Sequence, residues 1–128
     1  MKITLCGSAR FEEWFKHWNE MLSLAGHTVY SLSVYPSDKA GKKSWYDEEQ
    51  KKTLDKVHLD KIKNSDAIFV LNAFAYIGES TLKEIEFAKA QGKVLYALES
   101  WGKGNGISSG HTEQIKNAAK KYGTWGSL

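Results

Sequence analysis

One acidic residue, Glu84, stands where a side chain is able to do chemistry. It follows the segment Gly78-Glu79-Ser80-Thr81, which comes after a short apolar run and opens a predicted helix. The N-terminal end of a helix carries free backbone N–H groups and partial positive charge, so it binds anions and keeps a nearby carboxylate ionised. An ionised carboxylate held in place is able to attack a sugar carbon. We therefore take Glu84 as the candidate nucleophile of an active site.

The spacing of Thr81 and Glu84 also allows a purely structural role. The pattern Thr-x-x-Glu matches a capping box, in which the Glu side chain accepts a hydrogen bond from the backbone N–H at the start of its own helix. Considered alone, this motif favours the cap over the nucleophile. The catalytic interpretation gains support from location, because this helix start and a second anion-binding loop are expected at the same edge of one sheet.

That second loop is Gly7-Ser8-Ala9-Arg10, directly after the first apolar strand. A glycine lets the backbone approach a ligand, and a serine hydroxyl beside free N–H groups holds phosphate. Arg10 is the only arginine of the chain, and a guanidinium group binds anions through two parallel hydrogen bonds. In the alternative interpretation, Ser8 only caps the first helix and Arg10 is a solvated surface residue. The predicted phosphate-binding residues are Gly7, Ser8, Arg10, Gly78, Ser80 and Thr81.

Two further residues, His58 and Asp60, are candidates for proton transfer. His58 lies between apolar Val57 and apolar Ile62 in a predicted helix, which places it near the rim of the expected cleft. A histidine gives or takes a proton near neutral pH, and a carboxylate is the other common group for this work. An ordinary surface or half-buried histidine is the alternative.

Aromatic residues and metal ligands complete the set of candidates. Phe74 and Tyr76 lie in the loop before the helix of Glu84, where a flat ring is able to stack on a nucleobase or to pack the loop as a lid. The four histidines and the single cysteine have no metal-ligand spacing, so no metal site is predicted. The Gly7 loop lacks the glycine patterns of dinucleotide and P-loop folds, and no cofactor is predicted.

The elements that must position these residues follow from the apolar pattern. Strands are predicted over residues 2–6, 27–34, 67–71 and 93–98, and helices over 11–25, 53–63, 81–91 and 112–122. A polar, Lys-rich loop is predicted over 35–52 and a Gly/Ser-rich loop over 101–110. Alternating strands and helices predict an α/β fold: a three-layer Rossmann/flavodoxin-like parallel sheet of four to five strands with helices on both faces.

Composition limits the class of protein. The 128 residues fit one domain, 1–128, and a formal net charge of +3 is too small to argue for a nucleic-acid polymer or a membrane surface. Cys6 is the only cysteine, which excludes an intrachain disulfide and fits a reducing compartment. The chain has no apolar run of membrane-spanning length and no signal-peptide pattern, so we expect a soluble, cytoplasmic protein.

Residues 2–99 resemble nucleoside 2-deoxyribosyltransferase-like proteins, including the 2′-deoxynucleoside 5′-monophosphate N-glycosidases. The opening Lys2-Ile3-Thr4-Leu5-Cys6-Gly7-Ser8-Ala9-Arg10 is similar to the hydrolases' strand-one loop, Cys-Gly-Ser-x-Arg, which contacts the substrate phosphate. The stretch from Glu84 to Lys93 resembles the family's Glu-Leu-Gly-x-Ala segment, whose glutamate is the nucleophile. Two features depart from the family: Glu86 replaces a usual glycine, and the family's acid–base aspartate falls on His58.

The resemblance implies cleavage of the N-glycosidic bond of a (deoxy)nucleoside 5′-monophosphate or a nucleoside, with Glu84 attacking C1′ and His58 or Asp60 moving the proton. The phosphate-type loop favours a hydrolase. The alternatives are a deoxyribosyltransferase that exchanges bases, a non-catalytic nucleotide sensor of the same fold, and an NAD-type glycohydrolase. The expected partner is a small nucleotide or nucleoside, and the family implies a homodimer or higher homo-oligomer.

Overall fold

The computed structural model describes residues 1–35 and 46–99, and its apolar runs form a four-stranded parallel sheet. The strands are β1 (Lys2–Cys6), β2 (Thr28–Tyr30), β3 (Ala67–Val70) and β4 (Val94–Ala97), in the order β2-β1-β3-β4. The helices are α1 (Glu12–Leu24), α2 (Glu48–Lys63) and α3 (Glu79–Ala90), with short 3-10 turns at Ala9–Phe11 and Ala73–Ala75. The predicted helix 112–122 and loop 101–110 lie outside the described residues.

Both faces of the sheet are covered, because the central strands bury every second side chain on each side. Ile3, Leu5 and Phe69 pack against Phe15 and Trp18 of α1. On the opposite face, a second apolar cluster joins the sheet to α2 and α3; it comprises Cys6, Ile62, Ile68, Val70, Ile85, Ala88, Leu95 and Ala97. The predicted α/β class, with a parallel sheet between helical layers, is confirmed.

Three predicted boundaries were wrong, each for a local reason. Helix α2 begins five residues earlier than expected, since Asp47 and Gln50 form a reciprocal capping box: each side chain accepts a hydrogen bond from the other's backbone N–H, at 2.8 and 3.0 Å. Helix α3 begins at Glu79 instead of Thr81. The edge strand β2 pairs over three residues only, and 31–34 leave the sheet.

The order of the strands creates one topological switch point, between β1 and β3. The chain leaves β1 toward β2 on one side of the sheet and leaves β3 toward β4 on the other. The loops beyond the carboxyl ends of β1 and β3 therefore diverge and leave a crevice, which is where open α/β sheets bind ligands. Within 1–35 and 46–99, no helix has the length and apolar character needed to cross a bilayer.

Candidate active site

A cavity of about 470 Å³ lies in this crevice. Four segments enclose it: the loop after β1, the segment after β2, one face of α2, and the start of α3 with the residues before it. The lining residues are Gly7, Ser8, Ala9, Leu32, Ser33, Val34, Tyr46, Lys51, Leu54, Asp55, His58, Tyr76, Gly78, Glu79, Ser80, Thr81 and Glu84. Most of the residues that the sequence singled out are thus neighbours in space.

Gly7 shapes the point where β1 opens into the cavity. Its φ of +154° lies outside the range that side chains usually allow. A Cβ at this position would come within 3.1 Å of the Leu71 carbonyl oxygen and 3.4 Å of the Phe15 ring. A glycine is therefore required here for both conformation and close packing, which keeps the neighbouring Ser8 at the cavity wall.

Glu84 lies in the second turn of α3 and does not cap its helix. The N-cap is Gly78, which makes no side-chain capping bond, so the capping-box interpretation of Thr81 and Glu84 is wrong. The Glu84 side chain is only 14% exposed, and its Oε1 has no hydrogen-bond partner among the described residues. A buried carboxyl group without a structural partner is uncommon outside functional sites.

Burial changes the charge that was expected on this residue. The low-polarity surroundings, together with the nearby charge of Asp55, raise the pKa of Glu84 to about 8. The expectation that the helix end keeps Glu84 ionised is wrong, since desolvation outweighs the helix field in the second turn. Glu84 holds its proton at neutral pH until ligand or solvent changes its surroundings.

His58 faces Glu84 from α2. The ring is 5% exposed, and its Nε2 lies 3.8 Å from Glu84 Oε1 and 3.7 Å from Cys6 Sγ. Burial, with a smaller contribution from the positive charge of Lys61, lowers the pKa of His58 to about 4. The imidazole is therefore neutral at physiological pH and contributes a nitrogen lone pair or an N–H rather than a charge.

Cys6 closes the cluster from below, at the last residue of β1. The thiol is fully buried, and burial followed by the proximity of Glu84 raises its pKa well above the usual range. We call Cys6, His58 and Glu84 the floor of the cavity: His58 and Glu84 line it, and the fully buried Cys6 contacts His58. All three side chains are held without charge at neutral pH, and their ligand atoms lie within 4.8 Å of one another.

The exposed side of the cavity is polar. Ser8 lines it and also accepts a hydrogen bond from the Arg10 backbone N–H at 3.3 Å, so it caps the first 3-10 turn as the structural alternative proposed. Gly78, Ser80 and Thr81 bring the N-terminal end of α3 to the same wall. We call the set Ser8, Lys51, Tyr76 and Ser80 the rim; Thr81 also lines the cavity but is buried.

Three candidates from the sequence do not line the cavity. Asp60 is exposed on α2. Phe74 is 82% exposed and contacts the edge of Trp14, with ring centroids 6.3 Å apart. Arg10 is exposed as well, but its guanidinium lies 4.2 Å from the centroid of the Tyr76 ring, which does line the cavity. Arg10 therefore contacts a rim residue, Tyr76, without lining the cavity itself.

The structure adds two residues that the sequence interpretation missed, Asp55 and Lys51. Asp55 precedes His58 by three positions and follows Lys51 by four, so one face of α2 presents all three to the cavity. This spacing was readable in the sequence. The predicted loop over 35–52 left Lys51 outside the helix, whereas Asp55 already lay in the predicted helix 53–63, three residues before His58.

Comparison with models of protein families gives no match, and comparison with curated protein sequences gives none either. Solved structures do match. A 2-deoxyribosyltransferase from Bacillus psychrosaccharolyticus is 23% identical with a TM-score of 0.56, over 90% of this chain and 82% of that one. A conserved protein from Enterococcus faecalis V583 is 17% identical with a TM-score of 0.53, over 91% and 72%. A CMP N-glycosidase from Clostridium botulinum is 19% identical with a TM-score of 0.48, over 95% and 82%.

The likeness to the first two of these structures shows a shared fold. It extends over most of each matching chain, so the architecture of sheet and flanking helices is common to them. The chemistry of this protein is a separate question, which the side chains of its own cavity must answer.

Proposed function

We propose that this protein cleaves the N-glycosidic bond of a nucleoside 5′-monophosphate or nucleoside, with Glu84 as the nucleophile at C1′. The observation that carries the proposal is the Glu84 carboxyl group, which is largely buried at the cavity floor and whose Oε1 has no hydrogen-bond partner among the described residues. The resemblance of the strand-one loop and of the stretch from Glu84 to Lys93 supports it, as does the fold shared with a 2-deoxyribosyltransferase.

The shape of the cavity suits such a substrate. A volume of about 470 Å³ is in the range of small-molecule sites. The floor side chains are largely buried, and the rim offers hydroxyl groups, a helix N-terminal end and the amine of Lys51. A sugar at the floor would place C1′ against Glu84, while a 5′-phosphate reaches Ser8 and Ser80 beside the free N–H groups of α3.

The chemistry follows from a carboxylate facing a sugar carbon. The ionised Glu84 oxygen forms a bond to C1′ while the C1′–N bond breaks, and the bonding electrons leave with the base, which takes up a proton. Negative charge beside C1′ stabilises the oxocarbenium-like transition state, as in retaining glycosidases. Attack on C1′ by water then frees the sugar and regenerates Glu84, which makes the protein a hydrolase.

Asp55 replaces Asp60 as our candidate acid for the leaving base. It is exposed at the cavity, on the same face of α2 as His58. Asp60 lies elsewhere on the helix surface, and His58 is neutral and too weak a base to hold a proton at pH 7. In this assignment His58 orients the Glu84 carboxyl through Nε2, and Asp55 exchanges protons with solvent and base.

Tyr76 is the candidate for stacking on the base or for closing the phosphate end, and Arg10 acts through it. The guanidinium at 4.2 Å holds one face of the ring and leaves its positive charge near the rim. Phe74, which points away from the cavity, takes no part in this assignment.

The proposal is tested by chromatography of the purified full chain incubated with ribo- and deoxynucleoside 5′-monophosphates and the matching nucleosides. We expect release of a free base from at least one member. Glu84→Gln should lower the rate by ~10³-fold or more, since it removes the attacking group. Glu86→Gln, an exposed neighbour on α3, is the matched control and should keep the wild-type rate.

A second free base added to the same reactions identifies the acceptor. Hydrolysis leaves the added base unchanged, whereas a base-exchanged product would make the protein a transferase. Retained base release by Glu84→Gln would contradict the role of Glu84. If every panel member remains intact while nucleotide binding is measurable, the protein is a sensor and the catalytic proposal fails.

A further inference from the structure

The floor of the cavity combines three kinds of metal ligand: a thiol, an imidazole and a carboxyl group. They come from three separate elements, since Cys6 ends β1, His58 lies in α2 and Glu84 in α3. The mechanism proposed above uses only the Glu84 oxygen as a nucleophile. It leaves open why a buried sulfur and a buried imidazole nitrogen converge on the same point.

The geometry at this point suits a small cation. The Sγ to Nε2 distance is 3.7 Å, and the Nε2 to Oε1 distance is 3.8 Å. Tetrahedral zinc with its usual bond lengths spaces sulfur and nitrogen ligands roughly 3.5 Å apart, and nitrogen and oxygen ligands roughly 3.3 Å apart. All three ligand atoms lie within 4.8 Å of one another, so adjustment of the side chains would bring the three donors to one ion.

Two polar atoms of the floor, Glu84 Oε1 and His58 Nε2, make no short hydrogen bond to oxygen or nitrogen among the described residues. Glu84 Oε1 is buried with no hydrogen bond among the described residues, and the two contacts of His58 Nε2 are longer than ordinary hydrogen bonds to oxygen. Buried polar atoms are normally satisfied by protein, water or an ion. A cation that binds the three donors would satisfy Glu84 Oε1.

The surrounding charges allow a divalent ion. Asp55 stands close enough to act on the charge of Glu84 and adds negative potential. Lys61 opposes it, but its ammonium group is held by the Ser31 carbonyl oxygen at 2.7 Å and by the Ser33 hydroxyl at 2.8 Å. A thiolate and a carboxylate together neutralise a 2+ ion, and the cavity side leaves a fourth position open to water.

We infer that Cys6, His58 and Glu84 form a site for Zn²⁺ or a similar borderline-soft divalent cation, which blocks the cavity when it binds. Thiolate, imidazole and carboxylate are the zinc ligands of proteins, and one open position is common outside purely structural sites. Binding displaces one proton from the thiol and one from the carboxyl group. The blocking effect rests on the proposed function, since the ion holds the oxygen that must attack C1′.

Cobalt(II) is the probe, because a cobalt–thiolate bond absorbs in the near ultraviolet and tetrahedral cobalt is coloured. Cys6 is the only cysteine of the chain, so a thiolate band reports this site alone. We expect tag-free, reduced protein to bind one Co²⁺ per chain with this band, and Zn²⁺ to abolish it by displacement. Surface histidines such as His27 bind without a thiolate band.

Variants separate the ligands from their surroundings. Cys6→Ser should lose the band, while His58→Gln and Glu84→Gln should weaken Co²⁺ binding at least tenfold. Asp60→Asn and Glu86→Gln, both exposed and off the floor, should bind as wild type does. Circular dichroism checks that each variant is folded. If Cys6→Ser fails to fold, the His58→Gln and Glu84→Gln affinities decide alone.

Absence of the thiolate band in folded wild-type protein would overturn the inference, as would unchanged affinity in His58→Gln and Glu84→Gln. The result is independent of turnover. Metal binding without base release from any substrate supports the site and removes the proposed function. Base release without metal binding supports the proposed function and overturns the metal site. Where both are present, Zn²⁺ should inhibit competitively with substrate, and a chelator should restore the rate.

Discussion

The floor and the rim of the cavity differ in how much water reaches them. The floor residues Cys6, His58 and Glu84 are almost completely buried, and all are neutral at physiological pH. Lys51 and Ser80 at the rim are exposed to solvent. Under the proposed function, one cavity separates two tasks: solvated groups at the rim recognise the ligand, while desolvated groups at the floor take part in the chemistry.

The largest expected effect is a change in the pH dependence of the free energy of unfolding when Glu84, in the desolvated floor, is replaced. Folding raises the pKa of Glu84 to about 8 from its ordinary value of 4.5. Between those pH values the folded chain keeps a proton that the unfolded chain has lost, so this residue lowers stability as pH rises. Glu84→Gln removes the penalty and should exceed wild type by roughly 2–4 kcal/mol at pH 9, since each pKa unit corresponds to ~1.4 kcal/mol.

Denaturant unfolding at several pH values, with a chelator present, measures this difference. His58 acts in the opposite sense, because its lowered pKa makes stability rise with pH from about 4 to 6.5. Its contribution is common to both proteins and cancels in the comparison. The exposed control Glu86→Gln should leave the pH dependence of wild type unchanged. Parallel curves for Glu84→Gln and wild type would show that the floor is solvated.

The next effect compares two glycines of the cavity wall. Gly7→Ala introduces a Cβ at positive φ, 3.1 Å from the Leu71 carbonyl oxygen, and should lower the free energy of unfolding by roughly 1–3 kcal/mol. Gly78→Ala meets only ordinary contacts, the nearest being the Tyr76 hydroxyl at 3.5 Å, and should cost less than ~1 kcal/mol. Equal losses in denaturant unfolding would contradict this difference in backbone requirement.

Arg10 tests the rim. Arg10→Ala removes the cation beside the Tyr76 ring and should raise KM for a 5′-monophosphate by up to ~10-fold, with kcat nearly unchanged. The KM for the matching nucleoside should stay constant, because that substrate carries no phosphate. Steady-state kinetics on both substrates gives the answer. An equal rise in KM for the nucleoside would show that Arg10 packs against Tyr76 and does not recognise the phosphate.

The smallest expected effect is the influence of the exposed Asp55 on the ionisation of Glu84 in the floor. The rate constant kcat/KM should rise with pH as Glu84 ionises, with an apparent pKa near 8 for free enzyme. Asp55 contributes to that high value, so Asp55→Asn should move the limb to lower pH by a fraction of a unit. Because Asp55 is also the proposed acid for the leaving base, the plateau value of kcat/KM should be lower in Asp55→Asn than in wild type. Asp60→Asn should change neither the apparent pKa nor the plateau of kcat/KM. The measurement is a pH profile of kcat/KM for wild type and each variant.

Sequence reasoning found the fold because apolar runs and helical periodicity are local signals. Strands β1 and β3 were predicted to within one residue, and the loops beyond their carboxyl ends, predicted to bind a ligand, contribute to the lining of the cavity. The start of α2 was missed, since the capping pair Asp47 and Gln50 lies in a Lys-rich stretch that reads as loop. Lys51 was therefore placed in the loop and not on the helical face that carries Asp55.

The state of the floor residues was beyond local signals. The high pKa of Glu84 and the low pKa of His58 arise from burial that α2, α3 and β1 create together. Phe74 shows a similar limit: Phe74 and Ala75 both adopt positive φ, at 57° and 61°, in the loop that Asn72 ties to the Glu99 backbone. A left-handed pair of non-glycine residues has no sequence signature, and the exposed Phe74 ring could not be foreseen.

The central claim, attack of Glu84 on C1′, is tested most directly by trapping the covalent intermediate. A substrate identified by base release is replaced by its 2′-fluoro analogue, which slows breakdown of the sugar ester, and the intact protein is analysed by mass spectrometry. We predict a mass increase equal to the sugar or sugar phosphate, mapped by peptide analysis to Glu84 and absent in Glu84→Gln. An adduct on another residue, or base release from the analogue without any adduct, would contradict the account.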